Sequence, residues 1–299
     1  MKPIYKIMFV VSLVFFAFSV GALAVYGLDF GVDFKGGSVI ELEFTENRPA
    51  EAEVRQVFSN LDILKDKEVS VNNVGERGVI IRTDTLGEQE HQDVLSSVRT
   101  AFQGDSFQEK RFDSVGPAVG QELRRKSLIA IIILLVAIMM YITYVFRTLS
   151  RTLSLWAMTG ATIVGLLHDI VIPMGVFAIL GHFQGVQISA IFVAAILTIL
   201  GYTVSDKVVI FDRVRENIIR GAKEDLPAIV HKSVMQTLVR SINNTLTVIL
   251  SSLAIFLFGG ESIRYFALAL IIGVALGAYS SIFVASPLLV WWSRRGHAR

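Results

Sequence analysis

An acidic residue, Asp206, lies inside a long apolar run that begins at Ile188. Continued as one helix, the run carries this carboxylate into the hydrocarbon layer of a membrane before it reaches the basic residues Arg213 and Arg215. An ionisable group in that layer costs roughly 2.5–3.5 kcal/mol even on lenient insertion scales, and it usually faces a bundle interior and serves a function. The position therefore makes Asp206 a candidate functional residue. The alternative is that Asp206 and Lys207 only mark the point where a helix leaves the lipid.

Two neighbouring polar residues, His168 and Asp169, interrupt another apolar run and form a second intramembrane candidate. A histidine next to an aspartate could relay a proton. The pair could equally hydrogen-bond to neighbouring helices and hold the bundle together. Both interpretations stay open from the sequence.

A basic residue, Arg240, begins the next apolar run after the one that contains Asp206. Because the two predicted helices run in opposite directions, Asp206 and Arg240 fall at similar depths and could meet in the folded bundle. The arrival or departure of the guanidinium would then switch the carboxylate between releasing and binding a proton. The alternative is an ordinary anchor whose side chain snorkels to the lipid headgroups.

The composition places these residues in a polytopic α-helical membrane protein. Of 299 residues, 53% are hydrophobic and 18% are charged, and the mean hydropathy of +0.59 is too high for a soluble globular protein. Cysteine is absent, which excludes disulfides, thiolate metal sites and thiol nucleophiles. Neither a GxxxxGK[ST] motif nor a GxGxxG motif is present, so we expect no bound nucleotide, and we expect no other cofactor or metal.

Six apolar stretches are long enough to be transmembrane helices, since a crossing needs about 20 residues. They lie near residues 7–27, 127–146, 153–180, 187–211, 241–258 and 265–291. The first could be a signal peptide cleaved near Ala22-Leu23-Ala24, but it exceeds the usual ~7–15-residue apolar core, so we expect an uncleaved anchor. Lysine and arginine concentrate at the chain ends and after spans two and four, which predicts cytoplasmic termini. The interval 212–240 is typical of an amphipathic cytoplasmic helix that breaks at Gly221 and restarts at Pro227, and its polar side is interpreted as a solvated face.

Residues 28–126 form a separate domain between helices 1 and 2, because they are charged and rich in turns and lack a membrane-length apolar run. Their periodicity predicts strands at 38–44, 68–74, 77–83 and 107–115 and helices at 49–61 and 88–102. This order is the ferredoxin-like βαββαβ arrangement of the α+β class. Acidic residues outnumber basic ones, which argues against nucleic acid as a ligand. We therefore divide the chain into 1–27 (tail and helix 1), 28–126 (the domain expected across the membrane from the termini) and 127–299 (helices 2–6 and cytoplasmic end).

Several segments, in order along the whole chain, resemble the SecF branch of the SecD/SecF family of protein-export membrane proteins. The first is GLDFGVDFKGG at 27–37, and the second is SVGPAVGQEL at 114–123. His168-Asp169, the stretch 201–217 and the stretch 236–243 follow. The motif residues in these segments, besides the polar residues above, are Asp33, Gly36, Gly37, Gly116, Pro117, Gly120, Arg213, Glu216 and Asn217.

The resemblance implies a bacterial inner-membrane subunit, related to the resistance–nodulation–division exporters and surrounded by membrane lipid. Its partners would be a separate SecD chain, the SecYEG translocon and, in many bacteria, YajC. With SecD it would use the proton-motive force to draw unfolded preproteins outward, without hydrolytic chemistry of its own. By position the resemblance assigns proton coupling to Asp206 and Arg240, and a less settled role to His168 and Asp169.

Three other functions compete with this one. An exporter of a small molecule or lipid from the same superfamily would share the spans and the buried acids. A purely structural stabiliser of the translocon would show no dependence on protons. An intramembrane hydrolase could use Asp169 and Asp206 as a pair, but the GxGD motif of such proteases and a serine elbow are both missing.

Overall fold

The computed structural model describes residues 2–46, 48–65, 67–102, 107–147, 154–221 and 224–296. Its helices are α1 (Pro3–Tyr26), α2 (Val32–Lys35), α3 (Glu51–Ser59), α4 (Glu88–Ala101), α5 (Pro117–Val145), α6 (Leu155–Gln184), α7 (Ala190–Ile219), α8 (Leu226–Phe258), α9 (Glu261–Ser280) and α10 (Ser286–Gly296). Its strands are β1 (Gly37–Phe44), β2 (Ser70–Val74), β3 (Gly78–Thr83) and β4 (Phe107–Val115). Most of the predicted basic loop after span two lies outside the described residues, as do the last residues of the predicted C-terminal end.

Six helical runs among the described residues are long and apolar enough to cross a membrane. Five are α1, α5, α6, α7 and α8, and the sixth runs from Ile263 to Ser293 through α9 and α10. A π-helical turn, Ser281–Ala285, joins α9 to α10; there the Ser286 hydroxyl donates to the Ser281 carbonyl oxygen at 2.7 Å. The prediction of six spans is confirmed.

The predicted helical stretch over 212–240, with its break at Gly221 and its restart at Pro227, is divided at these positions in the structure. Its first part belongs to α7, which continues to Ile219, and its last part belongs to α8, which begins at Leu226. Helix α7 extends past the apolar run because Glu216 pairs with Arg213 and Arg220, at the i,i+3 and i,i+4 spacings that stabilise a helix. The two helices are separated by a turn at Gly221, whose φ is +82°.

The described chain forms two compact units. The membrane unit contains the residues up to 28, residues 129–186 and the residues from 191 onward. The sheet unit contains residues 29–128 together with the short segment 187–190. The segment 187–190 therefore packs with the sheet unit, although its last residue, Ala190, is the first residue of the long helix α7.

The sheet unit is built on four antiparallel strands in the order β2-β3-β1-β4. Alternate side chains of β1 are buried, as expected for a strand with one covered face, and they include Ile40 and Leu42. The helices α3 and α4 contribute Val54, Phe58, Val94 and Val98 to the same core. The predicted ferredoxin-like βαββαβ fold is confirmed.

Small residues let the helices of the membrane unit approach one another closely. Such packing is expected in a membrane, because the hydrophobic effect does not drive helices together among lipid tails. A Cβ atom at Gly273 would lie 2.3 Å from Ile199, and one at Gly277 would lie 2.1 Å from Thr203. The two glycines have GxxxG spacing, and they bring α9 against α7. Helix α7 is thereby held in the packed interior.

Candidate functional site

Asp206 lies on α7 and is buried in the membrane unit, with 7% of its surface exposed. Its Oδ2 atom accepts a hydrogen bond of 2.9 Å from the Ser241 hydroxyl on α8. The Tyr202 ring, one helical turn earlier, lies close enough for the carboxylate charge to act on its hydroxyl. Among the described residues, no cation forms an ion pair with Asp206 within 4.0 Å. The structure therefore places Asp206 away from bulk solvent, with a neutral donor as its hydrogen-bonding partner.

Arg240 on α8 directly precedes Ser241, the residue that donates to Asp206. The Arg240 side chain is exposed, however, and no hydrogen bond or ion pair joins it to Asp206 in the described part of the chain. The geometry of α8 explains this arrangement, because successive helix positions are about 100° apart and Ser241 is the residue that faces α7. In the described part of the chain, the neighbour of Arg240 contacts Asp206, and Arg240 itself does not.

A second acid, Asp169, is paired with a lysine that the sequence analysis set aside. The Lys207 ammonium donates to Asp169 Oδ2 at 2.7 Å, and both side chains are fully buried, with 0% exposure. The ammonium also donates to the Thr203 carbonyl oxygen at 3.4 Å. The sequence offers no partner for Lys207, because the residue follows Asp206 directly and two adjacent helix positions do not share one face. The sequence feature that could have indicated this pairing is Gly165, one turn before Asp169, because a glycine leaves space for the side chain of a neighbouring helix.

His168 belongs to the same cluster as Asp169 and Lys207. Its Nδ1 atom lies 3.2 Å from Asp169 Oδ1, and its ring is parallel to those of Phe16 and Tyr279, at centroid distances of 6.5 and 6.3 Å. Its Nε2 atom is buried and has no hydrogen-bond partner among the described residues. A neutral histidine that donates from Nδ1 satisfies this geometry, because Nε2 then carries no proton that needs an acceptor.

The glycine motifs of the sheet unit pack against each other. Gly36 and Gly37 have φ values of +85° and +126°, which disfavour any residue with a Cβ atom. A Cβ atom at Gly36 would lie 2.7 Å from the Cα of Pro117, and one at Gly120 would lie 2.9 Å from the backbone nitrogen of Gly36. The close backbone approach explains why these residue types occur at these positions. Gly116 has open space around it.

Asp33 connects the glycine segment to the beginning of α7. Its Oδ2 atom accepts a hydrogen bond of 2.8 Å from the backbone N–H of Ala190, the first residue of that helix. Nearby, the Gly31 N–H donates to the Ile188 carbonyl oxygen at 2.8 Å, and the Ile188 N–H donates to the Asp29 carbonyl oxygen at 2.7 Å. The Gln187 side chain also donates to Asp29 Oδ2 at 3.2 Å, so four hydrogen bonds among the described residues hold the segment 187–190 within the sheet unit.

The remaining motif residues lie at the opposite end of α7. Glu216 accepts from Arg213, while the Asn217 amide donates to the Ser233 hydroxyl at 2.8 Å and to the Gln236 side-chain oxygen at 3.0 Å. These contacts fasten the end of α7 to α8. In the part of the chain that the structure describes, no three His, Asp or Glu side chains are arranged to hold a metal ion.

Comparisons with known proteins place the chain in a family. The family described as protein export membrane protein SecD/SecF, C-terminal, matches residues 94–295, and the SecD/SecF GG motif matches residues 21–47. The protein translocase subunit SecF of Thermobaculum terrenum is 39% identical over 287 residues, covering 93% of this chain and 88% of the relative. The SecF subunit of Anaerolinea thermophila is 36% identical and covers 95% and 91%.

A solved structure agrees with the sequence relatives. The crystal structure of SecDF from Thermus thermophilus, described as a translocon-associated membrane protein, superposes with a TM-score of 0.82 at 29% identity. The match covers 97% of this chain and 38% of the SecDF chain. The buried acids on α6 and α7 and the packed glycine motifs thus belong to a fold shared along almost the whole length of this chain. The chain is a member of the SecD/SecF family of protein-export membrane proteins.

Proposed function

We propose that this chain works with a separate SecD subunit and uses the proton-motive force to drive late steps of preprotein translocation through the Sec machinery. Its family membership makes it a multi-pass membrane subunit of Sec protein export, and relatives of similar length carry the name SecF. The similarity to one part of the SecDF chain supports SecD as the partner. The relatives do not favour the alternative of a small-molecule or lipid exporter.

The observation that carries the proton dependence is the burial of Asp206 beside a neutral hydroxyl donor. A buried carboxylate without an ion pair loses little when it takes up a proton, because its charged form is poorly solvated. One elementary charge that crosses a potential of 100 mV releases about 2.3 kcal/mol. That energy can shift a two-state equilibrium substantially.

The helix α7 offers a direct route from this proton site to the sheet unit. Its first residue, Ala190, is capped by Asp33, and the same helix carries Asp206. We hypothesise that protonation of Asp206 changes its interactions with Ser241, with the nearby Arg240 or with charges on SecD. The helices then repack, and the domain formed by residues 28–126 moves while it holds a preprotein segment. A crosslink that immobilises this domain should stop proton-coupled export.

The topology in this proposal has both termini in the cytoplasm and residues 28–126 in the periplasm, across the bacterial inner membrane. The division of the chain into 1–27, 28–126 and 127–299 belongs to the same proposal. The relatives are named as protein translocase subunits. We further propose that the chain has no hydrolytic chemistry and that SecYEG and, in many bacteria, YajC join the complex.

The test is Asp206→Asn in proteoliposomes that contain this chain, its SecD and SecYEG. An imposed proton gradient increases export, and we expect this increase to be at least about tenfold smaller in the variant. The reason is that an amide cannot bind and release a proton near neutral pH. The matched control is Asp212→Asn, which changes an exposed aspartate on the same helix. Export by Asp206→Asn that still responds fully to the gradient would reject the proposal.

A further inference from the structure

The side chains of two adjacent residues on α7 point to different neighbours. Asp206 faces Ser241 on α8, whereas Lys207 faces Asp169 on α6. Adjacent helix positions differ by about 100°, so the two side chains cannot share one face. The result is two buried carboxylates, one with an ammonium 2.7 Å away and one with a hydroxyl donor at 2.9 Å.

The lysine occupies a space that the fold leaves open for it. A Cβ atom at Gly165 would lie 2.5 Å from Cε and 3.5 Å from Cδ of Lys207. The aliphatic part of the lysine therefore lies against the bare backbone of α6, and its ammonium reaches Asp169 one turn further along. No water-exposed surface is available to either charge, since both side chains have 0% exposure.

The groups that face Asp169 come from three helices. Lys207 lies on α7, His168 lies on α6, and the Ser280 hydroxyl approaches from the end of α9. Lys207 is the cation paired with the carboxylate, and the geometry of His168 suits a neutral ring. The cluster is therefore electrically neutral when Asp169 is ionised and Lys207 is protonated.

We propose that Lys207 is a positioning residue that holds Asp169 ionised and thereby removes this carboxylate from proton exchange. Its importance for export rests on the proposed function, in which Asp206 is the acid that binds the proton. Of the two buried carboxylates, Asp169 on α6 is thereby compensated, and Asp206 on α7 is the one that has no ion pair among the described residues. Without the lysine, Asp169 would be a buried charge with no cationic partner, left only with the neutral His168 and Ser280 groups, and such a carboxyl group favours the protonated form.

The experiment maps protonated carboxyl groups with dicyclohexylcarbodiimide, which reacts with protonated acids in apolar surroundings, followed by peptide mass spectrometry. The full chain is reconstituted in liposomes at pH 7. In the wild-type chain we expect no adduct on Asp169. In Lys207→Met we expect labelling of Asp169 that is at least tenfold above the background measured for the wild-type chain. In Lys207→Met/Asp169→Asn we expect no adduct at this position.

A new adduct at residue 169 distinguishes the proposal from a lysine that only supports packing, because lost packing does not create a protonated acid in the folded chain. A second variant, Gly165→Ala, keeps the charge but pushes the lysine away from α6, and we expect intermediate labelling of Asp169. This variant keeps the test decisive if Lys207→Met does not fold. Strong labelling of wild-type Asp169 would overturn the proposal, as would variants that label no more than wild type.

The outcome separates this inference from the proposed function. Labelling of Asp206 and the response of export to a proton gradient report on the proposed function. Labelling of Asp169 in the wild type and in Lys207→Met reports on the ion pair. If export ignores the gradient while Asp169 gains its adduct only after the lysine is removed, the proposed function fails and the assignment of Lys207 stands.

Discussion

The Asp33 carboxylate accepts a hydrogen bond of 2.8 Å from the backbone N–H of Ala190, and it thereby caps the first turn of α7. The first N–H groups of a helix have no partner within the helix, and a carboxylate there satisfies one of them and complements the helix dipole. The same helix carries both Asp206 and Lys207. A residue in the glycine segment before β1 is thus bonded to the helix that holds the ionisable groups of the membrane unit.

Replacement of Asp33 by alanine should loosen the beginning of α7. The loss of a capping side chain costs about 1 kcal/mol, which corresponds to roughly fivefold faster hydrogen exchange at the first amides of α7 if they exchange by local opening. Hydrogen exchange with mass spectrometry on the full chain in detergent measures this effect. Asp62→Ala, at a side chain that is 96% exposed, is the control. Equal exchange in the two variants would contradict a capping role for Asp33.

Alanine at Gly120 should destabilise the sheet unit, whereas alanine at Gly116 should be tolerated. The added methyl at 120 would meet the backbone of Gly36 and Phe34 at 2.9–3.1 Å, and the one at 116 would meet nothing within 4 Å. Overpacking of this kind typically costs about 1–3 kcal/mol, while an unhindered change stays within about 0.5 kcal/mol. Thermal unfolding of the two variants in the same detergent compares them. Equal midpoints would show that the close packing of the two glycine motifs contributes little.

Loss of the Ser241 hydroxyl should impair the proton response without abolishing export. Ser241 donates to Asp206, and hydrogen bonds to charged groups contribute about 1.5–3 kcal/mol. We expect Ser241→Ala to reduce the increase in export caused by a proton gradient severalfold, while export in the absence of a gradient stays unchanged. Ser252→Ala is the matched control, because this serine is also buried on α8 but does not contact Asp206. The same reduction in both variants would point to packing instead.

The start of α4 should become less stable in acid. The hydrogen bond from Lys67, and then the one from the Gly87 N–H, lowers the pKa of Glu90 below its ordinary value. A depressed pKa in the folded chain means that this stabilisation is present above the unfolded pKa of about 4.3 and is lost as the pH falls through the folded pKa. The pair is partly exposed, so the effect is below about 1 kcal/mol.

The measurement for this pH effect is hydrogen exchange at Gly87 and its neighbours, corrected for the intrinsic dependence of exchange on pH. We expect protection at neutral pH that decreases as the pH falls below about 4. Glu90→Gln removes the titrating group, so its protection should no longer depend on pH in this range. If the wild-type chain showed equal protection at neutral pH and below about pH 4, ionised Glu90 would not be the group that stabilises the start of α4.

Local patterns in the sequence determine the six spans and the βαββαβ domain. Span length and the alternation of β1 are set by residues close together in the chain, so they can be predicted without tertiary contacts. The end of α7 before Gly221 is also a local signal, but the continuation of the helix from its apolar run into the charged stretch could not be found this way; in that stretch Glu216 pairs with Arg213 and Arg220.

The sequence by itself also placed Asp206, Asp169 and His168 in the membrane, since each interrupts an apolar run. Only the tertiary structure decided which partner each of them has. Asp206 and Lys207 are neighbours in the chain, yet the turn of the helix directs them to α8 and to α6, and the space at Gly165 lets the lysine reach Asp169. Such a choice depends on how separate helices pack, and no pattern within one helix contains that information.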